Sequence, residues 1–288
     1  MVANLISLGF SFLCACAIAI NGKKKKSLDS SGALGALIVG TVTLYSGIAF
    51  AFVLLFFFYT SSKFTKYKAE IKKKIEADYK EGGSRNWEQV VANGGFTTSL
   101  CVIFLIAIED QRFVFDGSQP LKTFLISCFL GSYCCNCADT WASELGVLSK
   151  SKPRYILNPF KEVPAGTNGG VSLLGYGASL AAGISNGLVL WLITSLTILL
   201  SPTNITNSPQ YHVVTLCVMS CLLGTTIDSI FGAVFEYSGV DKLGRVHGIK
   251  AGQVEHISGW PILSGNHTNF LSGVITGIVT GFISLYLI

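Results

Sequence analysis

Long runs of uncharged, mostly apolar residues constrain the fold of this chain more than any other feature. A helix needs about 20 such residues to cross the hydrocarbon core of a bilayer. Six segments are of this kind, at residues 4–20, 92–108, 123–138, 171–200, 211–235 and 268–288. Charged residues make up only 13% of the chain, against roughly 25% in soluble domains. The chain is therefore predicted to be an all-α, polytopic membrane helix bundle, and a soluble fold, a disordered chain and a secreted disulfide scaffold are disfavoured.

Residues 32–60 form an uncharged run that is long for one crossing and short for two. Gly40, Ser46 and Gly47 are places where a helix can break. Because cytoplasmic loops collect Lys and Arg, charge discriminates between the two arrangements. A hairpin at 32–60 puts 19 of the 21 basic residues on one side, whereas a single crossing puts 15 there. We therefore expect about six to eight transmembrane segments and favour the hairpin, which gives eight helical segments with both termini outside the cytoplasm.

One integral-membrane domain is expected over residues 1–288, with residues 61–90 as a basic cytosolic loop within it. Asn204, in the pattern Asn-Ile-Thr, is a glycosylation acceptor that this topology places in a lumenal loop. A second acceptor pattern, Asn-His-Thr at Asn266, falls on the cytosolic side, so a glycan there would reverse the orientation. An endomembrane such as the endoplasmic reticulum is favoured. The net charge of +5 lies beside apolar segments, which predicts contact with membrane lipid and argues against a nucleic-acid partner.

Ionisable residues at apolar boundaries are energetically costly and tend to mark function. Asp139 directly follows an apolar segment and Glu144 lies five residues later, while Asp228 stands alone in a long charge-free stretch. On a continuous helix Ser143 shares a face with Asp139. Each carboxylate has a structural alternative, in which it caps a helix or bonds a neighbouring hydroxyl. A functional role is favoured for Asp228, and the two interpretations are even for Glu144.

A glycine-rich stretch, residues 161–179, lies between these acidic positions. The turn that precedes its apolar helix consists of Gly166, Thr167, Asn168, Gly169 and Gly170. Backbone amides and a helix amino-terminus at such a turn can bind phosphate, and Lys161 adds a positive charge. The P-loop pattern is absent, and a simple glycine hinge is the structural alternative.

Together these residues supply what phosphoryl transfer requires. Carboxylates hold a divalent cation, usually Mg²⁺, against phosphate oxygens, while lysine and backbone amides neutralise the remaining charge. The candidate catalytic residues are Asp139, Glu144, Asp228 and Lys161, and the three acids are also the candidate Mg²⁺ ligands. The predicted co-substrate is a nucleoside triphosphate at the cytosolic face, and a substrate with a long apolar tail would lie among the helices.

Long ordered strings give the chain a resemblance to the transmembrane protein 19 family over residues 20–280. The strings are SLDSSGALGALIVG, FTKYKAEIKKKIEADYKEGGSRNWEQVVANGG, DTWASELGVLSKSKPR, VPAGTNGGVS, TIDSIFGAVFEYSG and PILSGNHTNFLS. Relatives include the plant phytyl-phosphate kinase, which makes an isoprenoid diphosphate from the monophosphate with a nucleoside triphosphate. The resemblance therefore implies an isoprenoid or polyprenyl-phosphate kinase, or a close variant.

The family's motif positions fall on Asp139, Ser143, Glu144, Gly166, Thr167, Gly169, Gly170, Asp228 and Asn269. One departure affects the last of these motifs, because relatives tend to carry Asp-Asn-Asn where this chain has Ser264, Gly265 and Asn266. Without that acid, Asn266 and Asn269 are expected to bind a polar group or to cap the loop. Two other classes of function stay open, namely a transporter or channel lined by intramembrane acids and a scaffold without catalysis.

Overall fold

The computed structural model describes residues 2–77, 79, 83–201, 206–250 and 254–288, with side chains from residue 5 onward. Asn204 lies outside the described residues, so its predicted glycosylation stays a prediction. Nine helices form in the described part of the chain: α1 (Val2–Lys24), α2 (Ser30–Ser46), α3 (Ile48–Lys66), α4 (Ala69–Ile75), α5 (Trp87–Ala107), α6 (Pro120–Gly146), α7 (Leu173–Leu199), α8 (His212–Phe235) and α9 (Gly265–Leu287).

The apolar run at 32–60 is broken at Gly47, between α2 and α3. Gly47 has φ +132° and ψ 167°, a backbone conformation that residues with a side chain rarely adopt. Lys66 at the end of α3 donates from Nζ to the Ser27 hydroxyl, 2.9 Å away and just before α2 begins. The amino end of α2 and the carboxyl end of α3 therefore lie together, which confirms the hairpin.

Seven helices in the described ranges are long and apolar enough to cross a membrane, namely α1, α3, α5, α6, α7, α8 and α9. The remaining apolar helix, α2, is shorter at 17 residues. Its amino-terminus is capped by Asp29, whose carboxylate accepts the Gly32 N–H at 2.7 Å. The predicted all-α polytopic bundle is confirmed.

Helix α6 lies at the centre of the bundle, with contacts to α3, α5, α7, α8 and α9. Small residues let its neighbours approach closely, as is common between membrane helices. A methyl group on Gly277 of α9 would lie 2.7 Å from the Cys128 carbonyl oxygen of α6. One on Gly224 of α8 would lie 2.6 Å from the Cys135 Cβ of α6. These close approaches fix α8 and α9 against α6.

Two small antiparallel sheets form in the loops at the end of the bundle where α2 begins and α3 ends. The apolar pattern of the sequence did not predict them. The first has strands β1 (Arg154–Tyr155), β2 (Asn158–Glu162) and β3 (Gly170–Val171), with β1 in the middle. The second has β4 (Ser238–Val240), β5 (Val246–His247) and β6 (Glu255–Ser258), with β4 in the middle. The Tyr155 hydroxyl donates to the Ala233 carbonyl at 2.8 Å and holds the first sheet on α8.

The loops at the opposite end are joined to one another. Gln210 donates from its side-chain amide to the Phe115 carbonyl at 2.9 Å, and the Gly117 N–H donates to the Ser208 hydroxyl at 2.9 Å. The predicted division of the loops into two groups therefore matches the two ends of the bundle.

Candidate functional site

A polar cavity of about 560 Å³ opens at the end of the bundle that carries the two sheets. Its walls come from the carboxyl ends of α6 and α8, the amino ends of α5, α7 and α9, the described residues Glu76, Tyr79 and 83–85, and the loop around residues 165–172. The lining includes predicted site residues from four motif regions, namely Asp139, Ser143, Glu144, Gly166, Thr167, Asn168, Gly169, Gly170, Asp228 and Asn269. Segments far apart in sequence therefore meet at one place.

Asp139 and Asp228 form the acidic centre of the cavity. Each lies seven residues before the end of its helix, roughly 10 Å inside the bundle at 1.5 Å per residue. The close packing of α8 on α6 brings their carboxyl groups near enough to interact with each other. Ser272 of α9 donates from its hydroxyl to Asp228 Oδ2 at 2.7 Å. Three helices therefore position this pair of acids.

Glu144 lines the same cavity but is paired with a cation that sequence analysis missed. Lys72 of α4 is 1% exposed, and its Nζ lies 2.5 Å from Glu144 Oε2. The same ammonium donates to the carbonyl oxygens of Phe64 at 2.7 Å and Thr65 at 3.3 Å. The segment around residue 72, which belongs to the predicted basic loop at residues 61–90, is thus anchored to α6 by a buried ion pair.

The glycine turn packs closely on α8. Gly166 and Gly169 adopt φ +87° and +77°, and a methyl group on Gly169 would lie 2.3 Å from the Ala233 Cβ. The turn is also bonded to the second sheet, since the Asn168 N–H donates to the Ser238 hydroxyl at 3.0 Å.

Fewer donors of this turn are free for an anion than its sequence predicted. The backbone amides of Thr167 and Gly170 donate to carbonyl oxygens within the loop. The Thr167 hydroxyl donates to the Pro164 carbonyl at 2.7 Å, and the Asn168 side-chain amide donates to the Tyr237 carbonyl at 3.1 Å. The turn therefore forms part of the cavity wall but offers few free hydrogen-bond donors to a bound anion.

Two predicted residues are not brought into the cavity lining. Lys161 lies on β2, an outer strand whose residues are all exposed, and its Nζ is 5.5 Å from the centre of the Tyr155 ring. Asn266 lies in the first turn of α9 and also falls outside the lining. Asn269, one turn later, does line it, and its amide donates to Asn93 Oδ1 at 3.3 Å.

Sequence analysis also missed Arg85 and Glu236, which line the cavity. The Arg85 guanidinium donates to the Ser62 hydroxyl at 2.8 Å, and its position in a basic segment had been ascribed to topology alone. Burial, and to a smaller extent the nearby Asp228 carboxylate, raise the pKa of Glu236 to about 7. Both residues adjoin predicted motifs, but no local pattern distinguishes them.

The donor set fits a divalent cation held by two carboxylates. Mg²⁺ is commonly bound by one or two carboxylates together with waters and phosphate oxygens, and Asp139 and Asp228 present such a pair to the cavity. Among the described residues, no group of three or more His, Cys, Asp or Glu side chains is placed to hold an ion together. Glu144 is instead paired with Lys72.

Membrane-crossing helices around a polar cavity open at one end define a polytopic integral-membrane protein with an internal polar site. Sequence comparison is consistent with this class, because the profile of the family described as integral membrane protein DUF92 matches residues 13–277. The chain belongs to the DUF92 family of integral membrane proteins.

Similar proteins occur in plants and archaea. Protein PGR of Arabidopsis thaliana is 38% identical over 280 residues, which are 96% of each chain. The uncharacterized membrane protein MJ0933 of Methanocaldococcus jannaschii is 26% identical over 96% of this chain and 94% of its own. Protein VTE6, chloroplastic, of Arabidopsis thaliana is 29% identical over 73% of this chain and 56% of its own. No solved structure matches.

Proposed function

We propose that this protein is an integral-membrane phosphotransferase that acts on an isoprenoid or polyprenyl phosphate. In the reaction, an oxygen of the lipid monophosphate attacks the terminal phosphorus of a nucleoside triphosphate. The bond from that phosphorus to the bridging oxygen breaks, and the products are a lipid diphosphate and a nucleoside diphosphate. The substrate class comes from the resemblance to the transmembrane protein 19 family, and the type of chemistry is supported by the cavity.

The observation that carries the proposal is the meeting of Asp139 and Asp228 in a polar cavity at the end of an apolar bundle. Paired carboxylates inside a membrane protein are energetically costly to bury, and such residues tend to mark a functional site. This location lets a phosphate headgroup enter the cavity while an attached hydrocarbon tail stays among the helices. A nucleotide would enter from the side of the loops.

Each wall of the cavity has a distinct task in this proposal. Asp139 and Asp228 would hold Mg²⁺, which would neutralise phosphate charge and align the reacting groups. Arg85 offers a guanidinium, whose planar fork suits phosphate oxygens. The amino ends of α5, α7 and α9 add favourable dipoles for an anion. Glu144 is held by Lys72, so its role is to fix the loop against α6.

The test is turnover by purified protein in detergent or nanodiscs. The protein is given CTP or ATP, Mg²⁺ and polyprenyl monophosphates of several chain lengths, and diphosphates are measured by mass spectrometry. Asp228→Asn is expected to lower kcat by about 100-fold or more. A neutral amide binds Mg²⁺ more weakly than a carboxylate does, so the charge of the transition state is less well stabilised. The variant is expected to express normally, since Asn can still accept the bond from Ser272.

The matched control is Asp29→Asn, which makes the same chemical change at the exposed cap of α2. Asparagine caps helices as well as aspartate does, so its turnover should equal that of the wild type. Absence of diphosphate across the whole panel would overturn the proposed function. Full activity of Asp228→Asn would remove the carboxylate pair from the mechanism while leaving the reaction. The endomembrane location stays a prediction, to be checked by imaging the tagged protein.

A further inference from the structure

We propose that the tail of the lipid phosphate lies in an apolar cleft between α1, α2, α3 and α5, which joins the polar cavity at Arg85. This inference rests on the proposed function and adds where the hydrocarbon chain lies and how many chains fit. It is carried by a second cavity, separate from the acidic centre, and by the residues that the two cavities share.

The cleft is apolar along nearly its whole length. Its apolar walls come from four helices and include Ala15, Ala36, Gly40, Leu44, Phe58 and Val90, with the Tyr133 ring of α6 behind them. From Ala36 to Leu44 it follows eight residues of α2, about 12 Å along the helix axis. It therefore runs from the loop end of the bundle into the membrane, the direction that a lipid tail takes.

Three residues line both the cleft and the polar cavity, namely Arg85, Gln89 and Asn93. They are the polar members of the cleft, and all lie at or near the start of α5. The Arg85 guanidinium is fixed there by the Ser62 hydroxyl at 2.8 Å and lies 5.9 Å from the centre of the Phe58 ring. A cation at the junction of the two cavities can bind the phosphate oxygens of a lipid phosphate while its hydrocarbon tail extends into the cleft.

The width of the cleft favours one hydrocarbon chain over two. The cleft is narrow and open on one side, with a volume of about 70 Å³ against about 560 Å³ for the polar cavity. Small residues set this narrow width, since a methyl group on Gly40 would lie 3.4 Å from the Ala15 Cβ and one on Gly94 would lie 3.0 Å from Val39 Cγ1. The cleft therefore takes only part of one hydrocarbon chain, with the rest of a prenyl tail lying along its open side, and it leaves no room for the second acyl chain of a phospholipid.

The experiment is photocrosslinking in nanodiscs with a farnesyl phosphate analogue that carries a diazirine at the far end of its tail. Labelled peptides are mapped by mass spectrometry, with unlabelled farnesyl phosphate as competitor. Label is expected on the cleft walls of α1, α2 and α5. Ala36→Phe should reduce it at least tenfold by filling the cleft. The matched control is Ile38→Phe on the outer face of the same helix, where the side chain is exposed, and labelling should be unchanged.

A chain-length series provides a second measurement. Ala36→Phe should lower kcat/KM for a C20 prenyl phosphate at least tenfold more than for a C5 one, because the C5 chain scarcely enters the cleft. If Ala36→Phe fails to elute as a single species, Val90→Phe fills the cleft from α5 and replaces it. Diphosphate formation with label spread over lipid-facing positions would overturn the tail site alone. Competable label in the cleft without turnover would leave the tail site and overturn the kinase function.

Discussion

Replacing Lys72 by methionine provides the sharpest test of how the basic loop at residues 61–90 is attached to the bundle. Methionine keeps most of the side-chain volume and removes the ammonium, so Glu144 loses its partner and two carbonyl oxygens of α3 lose a donor. The change therefore acts on one buried interaction and leaves the apolar packing largely intact.

The magnitude follows from the burial of the pair. Removing one partner of a buried ion pair costs about 3–5 kcal/mol. Glu144 is 19% exposed and faces a polar cavity, so water offsets part of this cost, and we expect about 3 kcal/mol for Lys72→Met. With an unfolding entropy of about 2.1 cal/mol/K per residue, a chain of 288 residues should lose about 5 °C in Tm.

The assay is thermal unfolding of the detergent-solubilised protein, followed by the amount that still elutes as a single species after heating. Lys73→Met is the matched control, because Lys73 neighbours Lys72 on α4 but pairs with Glu70 at the surface, where the two side chains are 36% and 83% exposed. Exposed pairs are worth at most about 1 kcal/mol, so this variant should melt within about 2 °C of the wild type.

A double variant distinguishes the ion pair from a general effect of the substitution. Adding Glu144→Gln to Lys72→Met removes the unpaired charge and should restore about 2 °C of the loss, since contacting residues show coupling of this size. Equal Tm losses for Lys72→Met and Lys73→Met would refute the buried pair. So would additive losses in the double variant.

Three further predictions concern the glycine turn, the Glu236 carboxyl group in the polar cavity and the membrane orientation. Gly169→Ala should cost about 2–4 kcal/mol and lower turnover, because its new methyl group meets the α8 backbone at a left-handed φ, whereas Gly177→Ala, with open space around it, should be neutral or stabilising in the same melting assay. Since burial raises the pKa of Glu236 to about 7, its contribution to stability is complete below pH 4.5 and is lost as pH rises towards 7. As pH rises from 5 to 8, the Tm of Glu236→Gln should therefore fall less than the Tm of the wild type. In sealed microsomes an impermeant maleimide should label Ser151→Cys directly and Ser118→Cys only after permeabilisation; the reverse pattern would invert the predicted orientation.

The membrane helices were predictable because each depends on a local property of the sequence. A run of apolar residues spans the bilayer wherever it occurs, and the distribution of Lys and Arg favoured two helices at 32–60. The break itself lies at Gly47, one of three predicted candidates, because the link between α2 and α3 has positive φ. The two small sheets escaped prediction because strands of two to five residues are too short to show a periodic pattern.

The acids of the site were predictable for a different reason. Asp139 and Asp228 stand out because an isolated carboxylate in an apolar segment needs an explanation. Lys72 and Arg85 belong to a segment with many basic residues, where a cation is ordinary. Lys72 meets its partner across 72 positions of sequence, so only the fold identifies it. Lys161 was expected in the site on its proximity in sequence to the glycine turn, but an outer strand carries it away.

The central position of α6 bears on how the protein is inserted during synthesis. This helix carries Lys122, Asp139 and Glu144, and it is the least apolar and the most enclosed of the seven spanning helices. Three of the helices that cover it, α7, α8 and α9, are made after it. Lys122 and Glu144 pair with Asp110 and Lys72, which are made before α6, but Asp139 lies beside Asp228 of α8, which is made later. A nascent α6 should therefore stay at the insertion machinery or with a chaperone until the carboxyl-terminal third of the chain has been translated.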